Sequence, residues 1–93
     1  MQSENYRLQV WFDGHVQGVG FRYKTKNIAS GYDVNGYVEN LDDGRVHMVA
    51  VGKITEVREF ADKVAEVMSG FIRSIDERED FVDQAYKGFE IRL

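Results

Sequence analysis

The sequence predicts an α+β fold of the split βαβ type: a strand, a helix, two strands, a helix and a strand, forming an antiparallel sheet with both helices on one face. Three observations carry this. The spacing of apolar residues switches twice between period two and helical period. An Asp-Gly pair separates the two middle strands at hairpin spacing. The chain has 93 residues, 43% hydrophobic and 30% charged, with no linker, repeat or composition break, so residues 1–93 read as one small domain.

The first strand is read from Tyr6 to Asp13, with Tyr6, Leu8, Val10 and Phe12 alternating against Arg7, Gln9, Trp11 and Asp13. A glycine-punctuated loop, Gly14 to Gly20, follows. From Phe21 the positions Phe21, Thr25, Ile28, Ala29 and Tyr32 fall at helical spacing, with Gly31 expected to stop the helix in the left-handed conformation. Val34–Leu41 and Arg45–Val51 read as strands joined by a turn at Asp43-Gly44. Ile54, Val57, Phe60, Ala61, Val64, Val67 and Met68 form one apolar stripe, with Thr55 expected to cap its start and Gly70 to end it. Phe71–Ile75 reads as a strand, and Phe89, Ile91 and Leu93 alternate as a last, short one. The acidic run Asp76, Glu77, Glu79, Asp80 and Asp83 reads as a solvated loop or edge. Right-handed crossovers bring the first and third strands together at the centre, as in a ferredoxin-like βαββαβ sandwich. That fold alone hosts many unrelated functions.

Composition removes several classes of function. No Cys is present, which excludes disulfide scaffolds, thiolate metal sites and thiol catalysis, and fits a cytoplasmic location. The two His residues, without Cys, make no metal site. No apolar run spans a bilayer, and the segment Met1–Tyr6 is polar with no signal pattern, so no membrane partner is expected. A net charge of −4 argues against a nucleic-acid partner. The strand Arg45–Val51 also lacks the Phe or Tyr that single-strand RNA-binding domains of this topology carry. A monomer is the default expectation for so small a sheet.

The loop after the first strand is the most informative segment. Glycines at 14, 18 and 20 let the backbone curl with N–H groups directed inward, and such a nest ahead of a helix N-terminus binds anions. Arg22 falls in the first helical turn, where its planar fork can take two phosphate oxygens. From Gly14 to Tyr32 there is no acid, whereas Arg22, Lys24 and Lys26 are basic. It is neither a P-loop, since Phe21-Arg22 stands where Lys-Ser/Thr is needed, nor a dinucleotide fingerprint, since Tyr23 stands where Gly is needed. The same residues also read as a glycine-rich corner beside a solvated arginine.

The stretch Gly14 to Arg22, centred on Val16-Gln17-Gly18-Val19-Gly20-Phe21-Arg22, resembles the first signature of the acylphosphatase family. Gly36-Tyr37-Val38-Glu39-Asn40-Leu41-Asp42-Asp43-Gly44-Arg45-Val46 resembles its second, and Gly88-Phe89-Glu90-Ile91-Arg92 its usual ending. The resemblance implies hydrolysis of acyl phosphates to carboxylate and inorganic phosphate, with no metal and no cofactor. It implies Arg22 and Asn40 as the catalytic residues, and His15, Val16, Gln17, Gly18, Val19, Gly20 and Arg22 as the phosphate-binding set. The chain departs from the family pattern in having Glu39 where a basic residue is frequent, Tyr37 where Trp is frequent, and no Pro after the second helix. A basic residue at 39 is expected to raise anion affinity modestly. A non-catalytic anion sensor that keeps only the cradle is the alternative, and Asn40 counts against it. His47 reads as a sheet-surface residue, and Trp11 and Tyr37 as packing.

Overall fold

A computed structural model describes residues 5–83 and 86–93, so residues 1–4 of the polar N-terminal segment lie outside the described residues. The elements are β1 (Asn5–Gly14), α1 (Phe21–Ala29), β2 (Val34–Asn40), β3 (Val46–Gly52), α2 (Ile54–Val67), β4 (Ile72–Val82) and β5 (Phe89–Arg92). The strands form one sheet in the order β4-β1-β3-β2-β5, with β1 and β3 adjacent and β3 at the centre. All pairings are antiparallel except the last, in which β5 lies parallel to β2, so the sheet is mixed.

β1 shows why the fold was legible. Tyr6, Leu8, Val10 and Phe12 are buried in the core, and their cross-strand partners Ala50, Met48 and Val46 on β3 are buried on the same face. α2 lays Val57, Phe60, Ala61 and Val64 into that core, and α1 adds Phe21, Thr25 and Ala29. Burying each of the larger side chains contributes about 1.5–3 kcal/mol. The Thr25 hydroxyl is satisfied inside the core by donating to the Phe21 carbonyl at 2.8 Å.

The helix ends differ from the expected ones. Gly31 has no positive φ. α1 unwinds through three successive i→i−3 hydrogen bonds, Ser30 to Asn27, Gly31 to Ile28 and Tyr32 to Ala29, so no left-handed residue is required. Lys53, not Thr55, occupies the N-cap of α2 and offers no side-chain bond. Glu56 in the first turn meets the helix dipole and accepts the Asp33 N–H at 2.7 Å. α2 closes at Met68, whose N–H donates to Val64 O, before Gly70 is reached.

β4 is far longer than the Phe71–Ile75 strand that the pattern suggests. It pairs with β1 from Ile72 to Val82 and carries the acids Asp76, Glu77, Glu79 and Asp80 along the sheet edge. Its helix-side face is left uncovered, with Phe81 60% exposed and packed edge-on against Tyr6. Cations meet the acids from both sides. Arg7 holds Asp80 bidentately at 2.9 and 2.6 Å. Arg58 of α2 reaches Glu77 at 2.8 Å and Glu79 at 3.3 Å.

The sheet face away from the helices also carries structure. His47, 8% exposed, stacks on Trp11 at 4.8 Å, stands edge-on to Tyr37, and bridges Glu39 (2.8 Å) and Gln9 (3.1 Å). Arg92 lies over the Tyr37 ring at 3.5 Å. Trp11 and Tyr37 each pack on His47, as expected for packing residues; His47 is more deeply covered than a simple surface residue.

Candidate active site

The loop between β1 and α1 is shaped by its glycines. Gly18 and Gly20 sit at φ 80° and 78°, in the left-handed region that side chains disfavour. A Cβ at either would meet nothing within 4 Å, so the requirement is for backbone conformation and not for space. Gly14 differs, since a Cβ there would come within 2.4 Å of the Phe71 carbonyl, where β1 and the start of β4 close on each other. Val16 is fully buried and pins the loop to the core.

Gln17 ties this loop to the far side of the site. Its Nε2 donates to Leu41 O at 2.8 Å and to Arg45 O at 3.0 Å, the carbonyls on either side of the β2–β3 turn. The loop is thereby fixed relative to Asn40 at the end of β2. Sequence reading places Gln17 in the cradle but not in this tethering role, because its partners are main-chain atoms that no residue identity marks.

Gly18, Gly20, Arg22 and Asn40 line one cavity of about 100 Å³, together with Val16, Phe21 and Tyr23. Among the described residues, the N–H groups of Val16, Gln17, Gly18, Val19 and Gly20 donate to no other residue, whereas the Lys24 N–H donates to Gly20 O and continues α1. Glycine backbone, a helix N-terminus and Arg22 therefore border one cavity. Arg22 Nη1 also donates to the Arg92 carbonyl on β5 at 3.2 Å, which fixes the direction of its side chain. The Asn40 carboxamide makes no hydrogen bond to another described residue. The adjoining turn is held by others: Leu41 N–H to Arg45 O, and Arg45 N–H to Asp43 Oδ1. Asn40 is thus not consumed as a turn residue and keeps its donor and acceptor for a ligand.

Other expected positions lie elsewhere. His15 is exposed and lines a separate concavity with Gly14 and Gly70–Arg73, and its N–H is spent on Phe71 O at 2.9 Å. Gln17 and Val19 are not among the residues that line the cavity. Glu39 is on the opposite face of β2 from Asn40, bonded to His47, so the expectation that a basic residue there would act on the anion is corrected. Strand alternation sends neighbouring side chains to opposite faces.

Fold and site together define a small ferredoxin-like domain whose first βα connection borders a cavity shared with the end of β2. The family model Acylphosphatase matches residues 8–91. An acylphosphatase of Archaeoglobus fulgidus is 36% identical over 88 residues, 90% of this chain and 94% of that one. One from Clostridium perfringens (strain SM101 / Type A) is 42% identical over 85 residues, 89% of this chain and 94% of that one. The crystal structure of acylphosphatase from Bacillus subtilis superposes with a TM-score of 0.84 at 29% identity, covering 95% of this chain and 99% of that chain. The chain belongs to the acylphosphatase family.

Proposed function

We propose that the chain hydrolyses acyl phosphates to a carboxylate and inorganic phosphate, without metal or cofactor, as a cytoplasmic monomer. The observation that carries this is the shared cavity, which Gly18, Gly20 and Arg22 line together with Asn40, whose carboxamide bonds to no other described residue. An acyl phosphate is a mixed anhydride whose leaving carboxylate has a pKa near about 4, so no general acid is needed to expel it. The remaining tasks are to hold the phosphoryl group, neutralise its equatorial oxygens and align a water. The loop amides and Arg22 perform the first two. Preorganised donors of this kind each supply about 3–4 kcal/mol of transition-state stabilisation. Asn40 orients the water. The water oxygen bonds to phosphorus as the bond from phosphorus to the acyl oxygen breaks; the carboxylate leaves with the electron pair and a phosphoryl oxygen accepts the proton.

A cradle serving only as an anion sensor would not require a residue in the position of Asn40, which favours catalysis. The test is hydrolysis of an aryl acyl phosphate in the presence of a chelator. Full activity is expected, with phosphate monoesters turned over poorly because their alkoxide leaving groups require an acid. Activity that disappears with the chelator and returns with a divalent ion would overturn the metal-free reading.

A further inference from the structure

The cavity opens beside a second concavity of about 270 Å³, lined by Arg22, Tyr23, Ile91 and Leu93. Arg22 and Tyr23 are common to both. We infer that this groove between α1 and the end of β5 is the acyl subsite, and that it selects an uncharged alkyl or aryl acyl group over one carrying a second anion. The inference rests on the reading of the smaller cavity as the phosphoryl site.

Contiguity gives the first argument. The acyl carbon lies one bridging oxygen from phosphorus, so the acyl group must occupy space adjoining the cavity. The groove shares two walls with it, whereas the concavity around His15 shares none. Its size is the second argument. Sites for drug-sized ligands run about 300–1,000 Å³, so a groove of about 270 Å³ suits a smaller group.

The third argument is chemical. The lining is mostly apolar and comes from Tyr23, Ile91, Leu93 and Arg22. The only cation among them is Arg22, already directed to the phosphoryl group and to the Arg92 carbonyl. The guanidinium of Arg92 cannot serve, because it lies on the opposite face of the sheet over Tyr37. A second phosphate on the acyl group would therefore find no partner in the groove, while methylenes or a ring would find apolar surface.

Acetyl, propionyl and butyryl phosphates separate these terms, since their carboxylate leaving groups have nearly the same acidity and differ only in apolar length. The expected result is a rise in kcat/KM of about two- to fourfold per added methylene, the range between half and full burial of that group. Tyr23→Ala and Leu93→Ser should flatten this slope, and Tyr23→Phe should keep it. Tyr23 is 73% exposed, so its replacement removes no core packing. Turnover of all three substrates with no dependence on length would overturn the acyl subsite alone. So would a slope unchanged in both Tyr23→Ala and Leu93→Ser, or one lost in Tyr23→Phe. No turnover of any acyl phosphate would instead remove the phosphoryl-site reading beneath it.

Discussion

At the scale of single residues, Arg22 and Asn40 share a cavity but are positioned by different elements and perform different tasks. Arg22 meets the phosphoryl group in both ground and transition states, so Arg22→Ala should raise KM and lower kcat. Asn40 meets the attacking water, so Asn40→Ala should lower kcat by about 10²–10³ with KM nearly kept. Steady-state kinetics on an aryl acyl phosphate distinguish the two, and retention of most of kcat in Asn40→Ala would remove its role. Glu39 gives the opposite kind of prediction. Its carboxylate is spent on His47 across the β2–β3 pair. Glu39→Lys should leave KM unchanged at low ionic strength and lower unfolding stability by about 1–3 kcal/mol through loss of that bond. Both side chains were named from the sequence, yet only the alternation of β2 separates them. Val38 is buried toward the helices and Asn40 shares its side, so Glu39 must face the other way. Its adjacency to Asn40 in the chain obscures a placement that the strand period already contains.

At the scale of elements, β1, β2 and both helices were legible because each buries one face and writes a period into the sequence, and β3, buried on both faces, was legible as an apolar run after the Asp43-Gly44 turn. β4 was only half legible for the complementary reason. Most of its residues are exposed, on both faces, so burial imposes no alternation, and its pairing with β1 is made by backbone groups that sequence does not specify. The ends of α1 and α2 were misplaced because successive short-range backbone bonds closed them where capping residues were expected. The uncovered strand has a chemical signature that can be measured. Tyr6 is buried and donates its hydroxyl to Glu79 on β4. Burial first, and then that hydrogen bond to a carboxylate, push the Tyr6 phenol up to about 12. A raised pKa stabilises the folded chain while the phenol is protonated. That contribution is complete below the ordinary value near 10 and is lost as pH rises through about 12. Denaturant unfolding followed from pH 9 to 12 should show a loss of roughly 2 kcal/mol that is absent in Tyr6→Phe. Identical alkaline profiles in the two proteins would show that Tyr6 does not control this limb.

At the scale of the whole molecule, the site is assembled from distant parts of the chain. The loop after β1, the end of β2 and the carbonyl of Arg92 meet only when the central sheet has formed. A ligand of that site therefore reports on global folding. Inorganic phosphate at a hundredfold excess over its Kd should stabilise the native state by about 2.7 kcal/mol, a rise in Tm of roughly 10–20 °C for a domain of this size. Differential scanning fluorimetry should find the shift largely lost in Arg22→Ala and kept in Asn40→Ala. Equal loss in both would merge their roles into one binding unit. An equal shift with chloride at matched ionic strength would reduce the effect to screening.

The unpaired amides of the β1–α1 loop also have a consequence in time. An N–H that is open to solvent and without a protein partner exchanges its hydrogen without waiting for any opening of the structure, whereas those in the β1–β3 ladder must wait for sub-global or global unfolding. In deuterated buffer the amides of Gly18 and Gly20, exposed and without a partner among the described residues, should label within the fastest phase, and the Lys24 amide, bonded to Gly20 O, more slowly. Phosphate should then slow the loop amides selectively, beyond the uniform slowing that any stabilising ligand imposes on the core. The footprint reads each backbone donor separately and requires no catalysis. Slowing spread evenly over the chain, with no excess between Val16 and Gly20, would place the anion outside this loop.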